Sequence, residues 1–101
     1  MESGIDPLDL EGVRAKGVAK PSVREAVRQI VGEHGRLGIP VNQLADSGDL
    51  YAAGLTSLAT VGLMLALEEA FDVEFPDGML SRRTFASIDV LTAAIEKLRA
   101  A

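Results

Sequence analysis

The sequence predicts an all-α fold, a small four-helix bundle of three main helices and one short helix, with a long loop between the first and second helices. One observation is size: 101 residues fill one core and leave little chain for a second. Composition is another, because 48% of residues are apolar but only three are Phe and one is Tyr, so the core is built from Leu, Val, Ile and Ala. Lastly, three segments place apolar residues at helical spacing behind a residue suited to capping.

Residues 1 to 20 carry scattered charges, glycines and Pro7 without sustained periodicity. They read as a mobile or weakly structured amino-terminal extension, with a short helix around Asp9 to Ala15 as its one candidate element. The helical domain is expected over 21 to 101. Its first helix starts in PSVREAVRQIVGEHG, where Ser22 and Glu25 have capping-box spacing and Val23, Val27, Ile30 and Val31 share a face. Gly35 is the expected stop. From Arg36 to Leu55 the pattern dissolves, and the length of that segment predicts that it packs its own Ile39, Val41, Leu44 and Leu50 against the bundle.

The second helix is expected from Ser57 to about Phe71, with Leu58, Val61 and Leu65 as its apolar stripe before Glu68 and Glu69. LSRRTFAS then predicts a helix of one or two turns that carries Phe85 inward. The last helix is SIDVLTAAIEKLRA, capped by Ser87, with Ile88, Leu91, Ile95 and Leu98 buried and Asp89 and Lys97 matched to the helix dipole.

Charge and chemistry narrow the function. A formal charge of −5 argues against binding a phosphate backbone, so no nucleic-acid partner is expected. The acids at Glu68, Glu69, Asp72, Glu74 and Asp77 suit either a basic partner or a solvated helix end. There is no cysteine, hence no thiolate and no disulfide. The amino terminus lacks the basic start of a secretion signal, and the apolar run Leu58 to Leu67 is about ten residues where a membrane span needs ~20. A cytoplasmic, monomeric protein without a membrane span is expected. No residue spacing offers a metal site.

Ser57 is the residue of interest. Serine is favoured at helix starts for structural reasons alone. However, Thr56 just before it can serve as the cap, leaving the Ser57 hydroxyl at the first helical position, where a phosphoryl group would meet the positive end of the dipole. Serine catalysis is disfavoured: the segment is no G-x-S-x-G elbow, and the only histidine, His34, belongs to the end of another helix. Leu63, Met64 and Leu67 make the second helix apolar nearly all round, a pattern that suits either core or a partner face. Arg82 and Arg83 read as solvated charges, or as contacts for an anionic group.

The segment GLTSLATVGLMLALEEAFDVEFP, with Gly54 two residues before the Thr56-Ser57 dipeptide and Phe71 and Pro76 beyond the glutamates, resembles the acyl carrier proteins of the phosphopantetheine-dependent family. TFASIDVL, from Thr84 to Leu91, is similar to the family's join between its short third helix and its last one. The resemblance runs from about Pro21 to Leu98. It implies that a phosphopantetheinyl transferase attaches 4′-phosphopantetheine from coenzyme A to Ser57 in a magnesium-dependent transfer. Acyl groups would ride as thioesters on the arm's thiol, which accounts for a carrier with no cysteine. It further implies no enzymatic activity of the chain's own, and partners among acyl-activating, acyltransferase or condensing enzymes of fatty-acid, lipid or secondary-metabolite synthesis.

The same resemblance marks Leu58, Gly62, Met64, Glu68 and Glu69 as partner-recognition residues, and Leu63, Leu67, Phe85 and Ile88 as lining for an acyl chain. Two departures stand out. Thr56 replaces the family's usual aspartate, and Ala59 and Gly62 stand where acids are common, so electrostatic steering persists only near Glu68 and Glu69. These departures imply a specialised carrier with dedicated partners. Gly62 costs about 1 kcal/mol relative to alanine inside a helix, which suggests close approach of another surface. A freestanding aminoacyl or peptidyl carrier remains open because it shares the tethering machinery, as does an unmodified helical adaptor that docks its second helix in a partner's groove.

Overall fold

The computed structural model describes residues 22 to 100, so the extension over 1 to 20 and its short helix at Asp9 to Ala15 lie outside the described residues. Three helices form the bundle: α1 at Val23–His34, α2 at Ser57–Phe71 and α3 at Ile88–Ala100. Single 3₁₀ turns at Val41–Gln43 and Asp77–Met79 interrupt the connections, and the described residues contain no strand. Helix α1 packs against both other helices.

Local chemistry sets the helix ends. The Ser22 hydroxyl accepts from the Glu25 N–H while the Glu25 carboxylate accepts from the Ser22 N–H, a reciprocal cap that satisfies two otherwise unpaired amides. Gly35 ends α1 with its N–H on the Val31 carbonyl. Ser87 Oγ accepts from the Val90 N–H at the start of α3. Helix α2 stops at Asp72 in the left-handed conformation at φ 53°, with its N–H on the Glu68 carbonyl.

Among the described residues a core joins the three helices and their connections: Val27 and Val31 from α1, Ala59, Leu63 and Leu67 from α2, Ile88, Leu91, Ala94 and Ile95 from α3, with Leu44, Leu50, Leu55, Phe75 and Phe85. Phe75 and Phe85 meet with ring centroids 5.4 Å apart in a tilted pair. The sequence misplaces one face. Leu58, Val61 and Leu65, expected to form the inward stripe of α2, are exposed at 84%, 52% and 55%, and Ala59, Leu63 and Leu67 are buried instead. A helix apolar nearly all round offers two candidate faces, and periodicity alone does not choose between them. Ile39 is likewise exposed, whereas Leu44 and Leu50 pack inward as expected. Over LSRRTFAS the chain makes successive turns, with Thr84, Phe85 and Ala86 amides each bonding a carbonyl three residues back, and these deliver Phe85 to the core.

The long connection is held by arginines. The Arg28 guanidinium donates to the Val41 carbonyl at 2.5 Å, to the Leu44 carbonyl at 2.8 Å and to the Asp46 carboxylate. Arg24 pairs with Asp46 at 3.4 Å and hydrogen-bonds Asp89. That hydrogen bond raises the Arg24 pKa above its ordinary value. A raised basic group stabilises the fold at every pH below its unfolded pKa, so on the arginine side the pairing is lost only above the normal arginine range. Backbone bonds complete the seam: Leu50 N–H to the Ala86 carbonyl, and Asp89 N–H to the Asp46 carbonyl. The loop then turns at Gly54, φ 118°, where a Cβ would lie 2.9 Å from the Gly38 nitrogen.

One buried group is unpaired. Thr92 Oγ1 in α3 has no hydrogen-bond partner among the described residues, and Thr92 is 3% exposed. Replacing the hydroxyl with a methyl removes that desolvated group, so Thr92→Val is expected to raise stability by about 1 kcal/mol in urea unfolding. An unchanged or lower midpoint would show that the hydroxyl is satisfied.

Candidate functional site

The site is built around the amino-terminal turn of α2. Thr56 is the N-cap, its Oγ1 accepting from the Ala59 N–H at 3.1 Å, while the Thr60 hydroxyl donates back to the Thr56 carbonyl at 2.7 Å. Both hydroxyls are thus engaged with the backbone of the turn. Ser57 is the first helical residue; it is exposed and makes no side-chain hydrogen bond among the described residues. The division of labour read from the dipeptide is the one observed, with Thr56 capping and the Ser57 hydroxyl free.

Ser57 also lines a cavity of about 360 Å³ between α2 and the turns that precede α3. Along α2 the wall is Ser57, Thr60, Val61 and Met64, spaced at i, i+3, i+4 and i+7. Across from them lie Leu80, Ser81 and Phe85, and the Arg82 guanidinium stands over the Tyr51 ring at 4.0 Å from its centroid. Of the residues expected to line an acyl chain, Phe85 borders this cavity. Leu63, Leu67 and Ile88 are fully buried in the core and do not.

The adjoining side of α2, which shares Val61 with the cavity wall, is an exposed apolar surface. Leu58, Val61, Gly62 and Leu65 are exposed, and Glu33, His34 and Arg36 at the end of α1 border the groove beside them. A Cβ at Gly62 would meet nothing within 4 Å, so no part of the described chain requires glycine there. Met64 is half-buried on the cavity side. Glu69 is exposed, whereas Glu68 gives one carboxylate oxygen to the Phe75 N–H at 2.9 Å and so closes the loop after α2. The first turn of α2 contains no acidic residue.

Sequence reasoning did not place Tyr51 at the site, and it read Arg82 as a solvated charge or a contact for an anionic group. The helical spacing from Ser57 through Thr60 and Met64 was available as a signal for the cavity wall. Nothing local in the sequence signals that the long loop brings Tyr51 to it.

A free hydroxyl at a capped helix start beside a cavity is open to esterification, and no histidine lines that cavity to act as a base. The chain matches the family described as "Phosphopantetheine attachment site" over residues 23–95, and it belongs to that family. It is thus a phosphopantetheine-dependent carrier protein, acted on by partner enzymes and not itself an enzyme. The chain is similar to the aminoacyl carrier protein of Agrobacterium fabrum, 51% identical over 70 residues that make up 69% of this chain and 84% of that one. It also resembles a carrier protein from Agrobacterium tumefaciens solved in complex with AMP and an engineered Bradyrhizobium japonicum glycine:[carrier protein] ligase. That similarity is 49% identity and a TM-score of 0.70, over 72% of this chain and 97% of the other. The holo acyl carrier protein of Nitrosomonas europaea is 34% identical with a TM-score of 0.68, over 77% and 96% of the two chains.

The residues present fit the prosthetic group. An exposed hydroxyl offers the ester oxygen, Arg82 the complement to a phosphodiester, Thr60 and Ser81 polar partners, and Met64, Leu80 and Phe85 an apolar bed. No helix among the described residues is long and apolar enough to cross a membrane.

Because Thr56 supplies the cap without the charge, its two roles can be separated. Thr56→Asp keeps an oxygen for the Ala59 amide and adds the missing negative charge, so a housekeeping transferase is expected to modify that variant faster. Thr56→Ala is expected to lose about 1 kcal/mol of stability in chemical unfolding. A modification rate for Thr56→Asp at or below that of the natural protein would contradict this assignment.

Proposed function

We propose that Ser57 is the residue that carries the arm and that the cargo is an aminoacyl group, glycyl or one of similar size, rather than a fatty acyl chain. The observation that carries the first half is the exposed, unpaired Ser57 hydroxyl at the first position of a helix whose cap is provided by Thr56. The arm, when attached, supplies a thiol for thioester formation; the protein supplies the hydroxyl, the stiff turn beneath it and the surface that partners recognise. Esterification at Ser57 places the phosphate at the positive end of α2, where unpaired backbone amides and the helix dipole favour a negative charge.

Support for the aminoacyl cargo comes from the relatives. The Agrobacterium fabrum protein is an aminoacyl carrier, and the similar Agrobacterium tumefaciens carrier was crystallised with a glycine:[carrier protein] ligase. An ATP-dependent amino-acid-activating ligase is accordingly the partner proposed here, in place of the lipid-pathway enzymes expected from the sequence. Its docking face would be the exposed side of α2, where Leu58, Val61 and Leu65 surround the bare backbone at Gly62. With no acid in the first turn, recognition there rests on apolar contact, and charge contributes from Glu69 at the far end.

Two mass measurements test the proposal. Incubation with coenzyme A, magnesium and a broad-specificity phosphopantetheinyl transferase is expected to add one phosphopantetheinyl group to the natural chain and none to Ser57→Ala. The modified chain, given ATP, glycine and a glycine:[carrier protein] ligase, is expected to gain one glycyl group. A chain that takes up fatty acyl groups from an acyl-activating enzyme but no amino acid from any ligase would sink the aminoacyl reading.

A further inference from the structure

We propose that Arg82, shelved over the face of Tyr51, binds the phosphodiester that would join the arm to Ser57, and so seats the first part of the arm in the cavity between α2 and the turns before α3. This inference rests on Ser57 being the attachment residue.

The argument begins with the guanidinium. Its carbon lies 4.0 Å from the Tyr51 ring centroid, a cation–π contact. The arginine side-chain hydrogen bonds found among the described residues are those of Arg24 and Arg28, so the N–H donors of Arg82 are unused, and such donors match the oxygens of a phosphate in a forked arrangement. Among the described residues no carboxylate lies within ion-pair distance of Arg82; the ion pairs found involve Arg24 and Arg28 with Asp46 and Asp89. Tyr51 therefore orients the cation without neutralising it.

Placement supplies the second half. Arg82 and Ser57 border the same cavity, and Arg82 is the one cationic residue that lines it. The other cation near the turn, Arg36, borders the neighbouring groove, which Ser57 does not line. A phosphodiester on Ser57 thus has the helix dipole beneath it and a preoriented guanidinium across the cavity. Beyond the phosphate, the arm's geminal dimethyl group is apolar and branched, which suits Met64 and Phe85, and its hydroxyl and amides suit Thr60 and Ser81. Arg82 is in this sense a positioning residue for the arm.

The test uses the full chain carrying the arm, with attachment confirmed by intact mass before anything else is read. In the natural chain, nuclear Overhauser contacts are expected between the arm's dimethyl protons and the side chains of Met64 and Phe85. The ³¹P resonance of the Ser57 phosphodiester should also be displaced from that of the same armed chain unfolded in urea. Arg82→Gln is expected to accept the arm, lose both signals and keep the backbone spectrum of a folded bundle. Tyr51→Leu, which removes the shelf but not the charge, should weaken both. Arg36→Gln deletes an equal charge from the other groove and should retain them. The inference is overturned if the armed natural chain shows neither signal, if Arg82→Gln matches it, or if Arg36→Gln loses as much as Arg82→Gln. Failure to gain arm mass at all is a different result: it removes the assignment of Ser57, and this inference with it.

Discussion

In the connection from α1 to α2 the backbone is tied down by arginine side chains, Arg28 foremost. Arg28 of α1 reaches across to the Val41 and Leu44 carbonyls and the Asp46 carboxylate. Carbonyls in a half-buried loop need donors, and a guanidinium is the one side chain with enough of them, in a fixed plane, to serve three acceptors at once. Arg24 adds Asp46 and Asp89 to the same network. The loop so anchored provides Leu44, Leu50 and Leu55 to the core, its Leu50 amide to Ala86, and its Asp46 carbonyl to the first turn of α3. It also delivers Tyr51 to the cavity beside Ser57. One wall of the cavity beside Ser57 therefore comes from a loop that Arg28 anchors.

Helix ends were the most legible part of the sequence because capping chemistry is local: Ser22 with Glu25, Thr56 before Ser57, and Ser87 were all read from short spacings. The inward faces of α1 and α3 were legible for a similar reason, each having polar residues on the side away from the core. Helix α2 lacks that contrast, and its buried face was assigned to Leu58, Val61 and Leu65 when Ala59, Leu63 and Leu67 hold it. Contacts between residues far apart in sequence were invisible, among them Arg28 to the loop, Glu68 to the Phe75 amide, and Arg82 over Tyr51. The short helix over LSRRTFAS resolves into turns since the segment is too brief to sustain a helical ladder.

The failed face of α2 and the function have the same origin. A helix that serves only the fold would be polar on its outer side, but α2 keeps Leu58, Val61 and Leu65 in water beside Ser57, the serine proposed to carry the arm. Its exposed surface runs from the cavity beside Met64, across Val61, to the open groove around Gly62. A carrier has to hold its arm on one side and be recognised on another, and an apolar helix with a single stiff, hydroxyl-rich start satisfies both. Glu68, by contrast, closes a loop, which leaves Glu69 as the exposed member of the glutamate pair.

Amide hydrogen exchange in Arg28→Gln tests most directly whether that side chain holds the loop. The variant should lose protection selectively at the Gly38, Leu50 and Leu55 amides, which are bonded within the loop or to the turns before α3, while the interior of α1 around Val27 and Val31 stays protected. Unchanged protection at those three amides would show that the loop holds its course without the arginine, and the dependence of the site on it would be refuted.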